Sequence, residues 1–334
     1  MLPAVYSGRE VQAMDEVLKK LGDIGLIPVV KLTAPEQALP LGKALLAGSL
    51  PVAEITFRTD AAEDSIRILS HEIPELIVGA GTVLTIDQVD AAADAGARYI
   101  VTPGFNPKIV AHCQSMGMPV APGVNNPSDI ERAIEMGLDV VKFFPAEASG
   151  GVDMLKSFAG PFYGKISFIP TGGVTAKNLQ SYLACGNVFA VGGSWMVPPD
   201  LLDAGEYGKI ENLCREARML SLGFSLLHIG INPEAGGSSV ESAKLLSAML
   251  GMPLKEGNSS SFVGESFEVM KSRGRGGHGH IAIETLSVER ALEWFSGFGI
   301  KPLEETIKTK EGHISLAYLD YDFMGFAVHL NRKL

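Results

Sequence analysis

The sequence predicts an α/β protein: a (β/α)8 TIM barrel followed by a smaller α+β domain built of paired βαβββ repeats. Three observations carry this. Eight short apolar runs recur about 20–27 residues apart over the first 200 residues, with helical patterns between them. No GxGxxG follows the first run, which disfavours the doubly wound open sheet, the alternative for such an alternation. After residue 220 the pattern changes, and an order of strand, helix and strands occurs twice.

The elements follow in order. Residues 9–21 place Val11, Met14, Val17, Leu18 and Leu21 on one face of a helix. The apolar runs are 26–30, 51–57, 76–80, 98–102, 118–121, 139–144, 166–170 and 188–192. Helical patterns separate them at 34–48, 61–71, 85–96, 107–117, 128–137 and 175–186. Several end in glycine, the residue expected just past a helix C-terminus. Residues 196–220 read as a closing helix, and 221–224 as a junction. Beyond it, strands are expected at 226–232, 261–270, 278–285, 313–319 and 324–330, with helices at 239–250 and 287–297. The expected domains are 1–220 and 221–334.

A chain of 334 residues suits two domains. Its net charge of −10 disfavours general attraction to nucleic acid or anionic membrane. The start is polar and amphipathic, unlike a signal peptide, and no apolar run reaches the ~18 residues of a membrane span. Cys113, Cys185 and Cys214 are odd in number and widely spaced, which suggests reduced thiols. These features predict a cytoplasmic protein.

In a barrel of this kind the reacting groups sit at the C-terminal ends of the strands. Charged residues inside the runs occur mainly at Glu54 and Lys142. In 139–147, DVVKFFPAE, a strand would put Val140, Lys142 and Phe144 on one face. A lysine in such a run commonly snorkels out at the strand end, and the two charges could also form one buried salt bridge. The chemical alternative is a Schiff-base lysine, since a neutral amine attacks carbonyls. A free amine, with pKa ~10.4, is neutral in only about one copy in 2,500 at pH 7, a penalty of roughly 4.6 kcal/mol that burial reduces. Glu54 would then be a general base. Gly172-Gly173 and Gly192-Gly193-Ser194 follow runs seven and eight, where such barrels commonly hold a phosphate on backbone N–H groups.

The segments EITFRT (54–59), GAGTVL (79–84), TPG (102–104), VKFFPAE (141–147), GPF (160–162), PTGGV (170–174) and VGGSW (191–195) resemble the 2-keto-3-deoxy-6-phosphogluconate / 4-hydroxy-2-oxoglutarate aldolase family over about residues 20–218. The resemblance implies a class I aldolase, usually trimeric, with a small-molecule substrate and no metal. It implies Lys142 as the Schiff-base former and Glu54 as the carboxylate that moves protons. Arg58 and Thr82 would hold the pyruvyl carboxylate, Pro103 and Phe144 would shape the pocket, and Gly172, Gly173, Gly193 and Ser194 would take a phosphate. The expected reaction is cleavage of 2-keto-3-deoxy-6-phosphogluconate to pyruvate and glyceraldehyde 3-phosphate. An unphosphorylated 4-hydroxy-2-oxo acid and the phosphogalactonate series stay open. The loop GVNNP (123–127) departs from the family pattern.

The two C-terminal copies begin at His228-Ile-Gly-Ile and His280-Ile-Ala-Ile, and end at Phe267-Glu-Val and Ala327-Val-His329. Over about residues 224–332 the arrangement resembles the vicinal oxygen chelate fold. That resemblance implies metal ligands at His228, Glu268, His280 and His329, where the family more often has glutamate at the last place. Such a set suits Zn²⁺, Ni²⁺, Mn²⁺ or Fe²⁺. A non-catalytic regulatory or assembly module is the alternative. Arg273-Gly-Arg-Gly-Gly277 reads as a mobile loop or an anion contact.

Overall fold

The computed structural model describes residues 15–234 and 238–333. These divide between Ser221 and Leu222 into two compact units, each described here by itself. Residues 9–14 of the expected first helix lie outside the described residues. The helix that follows is Glu16–Ile24. The Asp15 carboxylate accepts from the Val17 N–H at its start, and Gly25, at φ 77°, ends it.

The first unit alternates strands and helices. Its strands are β1 (Leu26–Val30), β2 (Val52–Thr56), β3 (Ile77–Gly81), β4 (Ile100–Val101), β5 (Val120–Ala121), β6 (Gly123–Val124), β7 (Val140–Phe143), β8 (Ser167–Pro170) and β9 (Val191–Gly193). All pair in parallel. One sheet runs β5-β4-β3-β2-β1-β9, the other β6-β7-β8. Pro122, which has no N–H to donate, separates β5 from β6, so one extended stretch serves both sheets. Parallel bridges from Phe168 to Val188 and from Thr171 to Gly192 carry the pairing from β8 towards β9. The pairings thus run from β5 at one end of this stretch to β6 at the other. Strands β1, β2, β3 and β7 are buried along their whole length. Burial on both faces is why they read as unbroken apolar runs.

Two helices differ from expectation. The stretch 34–48 opens as a 3-10 turn, Pro35–Gln37, before the helix Ala38–Ala47. The stretch 175–186 keeps only Leu179–Leu183. Here the Asn178 side chain accepts from the Thr175 N–H at 2.7 Å, a local turn that competes with the helix. The closing stretch holds two helices, Pro199–Asp203 and Tyr207–Leu222. The second runs into the expected junction and is followed by Gly223 at φ 60°.

Among the described residues, the second unit is one eight-stranded sheet with two α-helices and the 3-10 turn Glu304–Thr306. Its strands are β10 (Ser225–Ile231), β11 (Leu254–Glu256), β12 (Ser260–Val263), β13 (Phe267–Met270), β14 (Gly279–Thr285), β15 (Lys308–Lys310), β16 (His313–Phe323) and β17 (Phe326–Arg332). Their order is β11-β12-β13-β10-β14-β17-β16-β15. The pairs β10–β13 and β14–β17 are parallel and the rest antiparallel. The short edge strands β11 and β15 were not expected. The run 261–270 is a hairpin turning at Gly264, φ 60°, and not one strand.

Side-chain alternation decides what each face of this sheet carries. Helix Ser239–Leu250 covers Val263, Phe267 and Val269, its Ala243 in that core. Helix Val288–Ser296 supplies Val288 and Ala291 to a core with Ala317, Leu319, Val328 and Leu330. Phe262, Glu268, Tyr318 and His329 are the alternate residues, so they point to the opposite face.

Candidate functional site

In the first unit, two charged side chains meet in the interior. Lys142 on β7 and Glu54 on β2 sit on strands that are not paired with each other. The Lys142 amine nevertheless donates to Glu54 Oε1 at 3.2 Å, and the two residues are 3% and 1% exposed. The contact therefore joins strands of the two different sheets. Burying either charge alone is costly, so each supports the other's placement. The space for Glu54 comes from Gly81, where a Cβ would lie 2.2 Å from Oε1. Tyr99 fills the matching gap beside Gly79, where a Cβ would strike its ring at 2.2 Å. Its hydroxyl donates to the Ala53 carbonyl at 3.2 Å. Burial first, and then the Glu54 charge, raise the Tyr99 phenol well above its ordinary range, so it stays a neutral wall under the carboxylate.

The other barrel residues expected from the sequence lie at or just past the C-terminal ends of the same strands. Phe144 has its ring centroid 5.3 Å from the Lys142 amine. Gly123 pairs with Lys142. A Cβ on Gly123 would lie 2.2 Å from the Pro103 carbonyl, which places Pro103 against that strand end. Arg58 follows β2 and donates through Nε to Thr82 Oγ1 at 3.3 Å. Thr82 stands at φ 56°, a left-handed backbone that turns the chain directly after β3. Gly172 and Gly173 follow β8 at φ 97° and 85°, conformations that favour glycine. A Cβ on Gly172 would sit 3.3 Å from the Phe144 ring. Gly193 ends β9 with no room for a side chain beside Trp195, and Ser194 after it is exposed. Tyr99 and Gly81 were not foreseen. A tyrosine facing a glycine on the neighbouring run was the available signal, but it needs the register to be read.

This rim can do specific chemistry. A buried amine beside a buried carboxylate offers a nucleophile and a proton carrier within one hydrogen bond. Glycines in left-handed turns let backbone N–H groups approach an anion closely.

The second unit brings together the four residues expected there. His280 Nε2 lies 3.0 Å from Glu268 Oε2, and His228 Nε2 lies 3.2 Å from the same oxygen. The two Nε2 atoms are 3.1 Å apart. His329 has its ring centroid 5.0 Å from that of His280. Among the described residues, His228, His280 and His329 each offer a ring nitrogen within 4.8 Å of the others. Gly230 makes room for them: a Cβ there would strike the His280 ring at 2.0 Å. Hydrogen bonds from His228 and then His280 hold the Glu268 carboxyl below the usual carboxylate range, against the opposing effect of burial. Burial, with the imidazoles of His280 and His228 adding to it, pushes His329 down to about 4. His329 is thus neutral near pH 7. Three clustered imidazoles, two of them touching the Glu268 carboxylate, are a donor set that fits a divalent metal. Ser260, unforeseen in the sequence, donates to Glu268 Oε1 at 2.6 Å and orients the carboxylate. Phe262 stands edge-on to His228 and Tyr318 lies 4.6 Å from His329, centroid to centroid.

Comparison with known proteins bears on the first unit. The model of the "KDPG and KHG aldolase" family matches residues 15–213. The 2-dehydro-3-deoxy-phosphogluconate aldolase of Haemophilus influenzae is 48% identical over 201 residues, covering 60% of this chain and 94% of its own. The KHG/KDPG aldolase of Escherichia coli K12 is 43% identical over 192 residues, covering 58% and 90%. The crystal structure of Legionella pneumophila KDPG aldolase, with pyruvate captured as a covalent carbinolamine, superposes with a TM-score of 0.59 at 36% identity. It covers 61% of this chain and 98% of its own.

Proposed function

The chain belongs to the KDPG and KHG aldolase family, and from that premise we propose that its first unit, a (β/α)8 barrel, is a Schiff-base aldolase for 2-keto-3-deoxy-6-phosphogluconate. It is a lyase, and its family works through a Schiff base and needs no metal. The observation that carries the reading is the buried Lys142–Glu54 contact at 3.2 Å. Neutral Lys142 attacks the C2 ketone, and loss of water from the carbinolamine leaves an iminium. That cation accepts the electron pair of the C3–C4 bond. Glu54, directly or through a water, takes the proton of the C4 hydroxyl as the aldehyde leaves. The enamine is protonated and hydrolysed to pyruvate, and glyceraldehyde 3-phosphate is the other product. Arg58 and Thr82 hold the pyruvyl carboxylate, Pro103 and Phe144 shape the pocket, and Gly172, Gly173, Gly193 and Ser194 take the phosphate.

Borohydride trapping with pyruvate, followed by peptide mapping, tests the mechanism. A pyruvyl adduct on Lys142, absent in a folded Lys142→Ala variant that has lost turnover, is expected. Retained aldolase activity in that variant would refute it. A substrate panel then decides between 2-keto-3-deoxy-6-phosphogluconate, its galactonate epimer and 4-hydroxy-2-oxoglutarate. The barrel is expected to assemble as a homotrimer, which sedimentation equilibrium checks. Among the described residues no helix is long and apolar enough to cross a membrane; a cytoplasmic placement is our proposal.

A second reading concerns residues 221–334. We read them as a vicinal oxygen chelate-like domain of two βαβββ repeats whose His228, Glu268, His280 and His329 hold a divalent metal. The clustering of the three imidazoles, two of them within 3.2 Å of Glu268, supports it. Such a metal would supply Lewis-acid chemistry to a bound oxygen ligand. Elemental analysis of the full chain, purified without chelator, is expected to give about one metal per chain. His280→Ala should lose it while barrel turnover persists. Wild-type protein that takes up no metal from any of Zn²⁺, Ni²⁺, Mn²⁺ or Fe²⁺ would end this reading.

A further inference from the structure

The glycine-rich segment 273–277 follows β13 and has no part in the chemistry described so far. It is clamped. Asn232, just past β10, accepts from the Gly274 N–H at 2.8 Å and donates to the Gly276 carbonyl at 2.9 Å and the Gly274 carbonyl at 3.3 Å. Gly276, at φ 79°, packs so closely that a Cβ would lie 2.1 Å from the Gly279 carbonyl and 2.6 Å from the Ala327 nitrogen. His278 N–H closes the segment on the Gly325 carbonyl at 2.8 Å. The fastening presents one side chain, Arg275, to the helix-free face of the sheet.

Arg275 lies over Tyr318, its guanidinium carbon 5.4 Å from the ring centroid. Tyr318 in turn lies 4.6 Å from the His329 ring and 6.4 Å from that of His280. Tyr318 thus lies against both a permanent cation and the histidine cluster. The Arg275 side chain is 45% exposed and donates to the exposed Glu305 at 2.9 Å. An exposed pair of this kind is weak and exchanges readily for another carboxylate. Charge points the same way. A divalent ion bound by three neutral imidazoles and one carboxylate keeps a net positive charge, and Arg275 adds to it. Phe262 and Tyr318 give the face apolar walls.

We propose that Arg275 is the anion-holding residue of this cluster, and that the second unit binds a small organic carboxylate carrying a further oxygen donor. The carboxylate pairs with the guanidinium and the second oxygen reaches the metal. This rests on the metal reading of His228, Glu268, His280 and His329. The ligand class excludes neutral carbonyl compounds and long peptides as the preferred occupants, because neither uses both positive centres at this spacing.

The test uses the full chain loaded with Co²⁺, whose visible spectrum reports its own ligands and not the barrel lysine. Lactate is the probe, since it cannot form a Schiff base, and lactamide is its uncharged counterpart. Lactate should shift the wild-type spectrum saturably. Arg275→Ala should keep the same cobalt content and the same response to lactamide, but lose affinity for lactate by about tenfold or more. Arg275→Lys should fall between. Equal lactate affinity in wild type and Arg275→Ala, or no response to lactate in a cobalt-loaded wild type, overturns the role of Arg275 and leaves the metal reading standing. A wild type that takes up no cobalt overturns both.

Discussion

Replacing Gly81 by alanine isolates the placement of Glu54 from everything else in the barrel. A Cβ at Gly81 would lie 2.2 Å from Glu54 Oε1, 2.6 Å from Cγ and 2.7 Å from Cδ. Ordinary contact needs roughly 3.4 Å, so the carboxyl group must retreat by about 1 Å. Gly81 is not in a left-handed conformation, so alanine strains no backbone dihedral there. The cost to folding is that of overpacking one buried site, about 1–3 kcal/mol. The cost to catalysis is larger in kind. A proton carrier displaced by about 1 Å loses on the order of 10²-fold in rate. The assay has two arms. Turnover is followed by reducing the released pyruvate in a coupled reaction, and Schiff-base formation by borohydride trapping. Gly81→Ala should still trap pyruvate on Lys142 while kcat falls about a hundredfold. A kcat within about threefold of wild type, less than ~0.7 kcal/mol of barrier, would show that the Glu54 position does not govern proton transfer.

Other outcomes follow from the same coordinates. Burial pushes Glu289 up, but the His313 imidazole 3.7 Å away and hydrogen bonds from the Ile314 N–H, its own N–H and Ser287 outweigh it and hold the carboxyl at about 2, against 4.5 ordinarily. Its stabilising effect is therefore fully present above about pH 4.5 and is lost as pH falls towards 2. Glu289→Gln should weaken the second unit at pH 7 by at most about 3 kcal/mol and flatten its loss of stability over that acid range, as followed by thermal unfolding at a series of pH values. An unchanged acid profile would count against the cluster. All three cysteines are buried. Burial pushes Cys113 up to about 11 and Cys214 to about 12, and raises Cys185 as well. A thiol reagent should therefore label none quickly in native protein and all three after denaturation; rapid native labelling would contradict the packing.

Much of the architecture is legible in the sequence because parallel strands are buried on both faces and leave unbroken apolar runs. The same feature marked Glu54 and Lys142, the charged interruptions. Local competition was harder to see. Asn178 shortens its helix through a side-chain hydrogen bond, and Pro122 splits one strand between two sheets, although both residues are plain in the sequence. The edge strands β11 and β15 are short and exposed, so burial left them almost no pattern.

By itself the sequence determined the residue types, their periods and their order: a lysine and a glutamate inside apolar runs, glycine pairs past the last two runs, and histidines within apolar C-terminal runs. Only the tertiary structure decided which of them meet. Lys142 and Glu54 are 88 positions apart and touch between two different sheets. Tyr99 supports Glu54 only because the register sets Gly79 and Gly81 opposite them. Ser260 and Tyr318 join the histidines because pleat alternation turns them away from the helices. Arg275 joins them because Asn232 clamps its loop. Periodicity is a property of neighbours along the chain. Register and closure are set by long-range pairing, and one residue of slip would have turned each of these side chains to the other face.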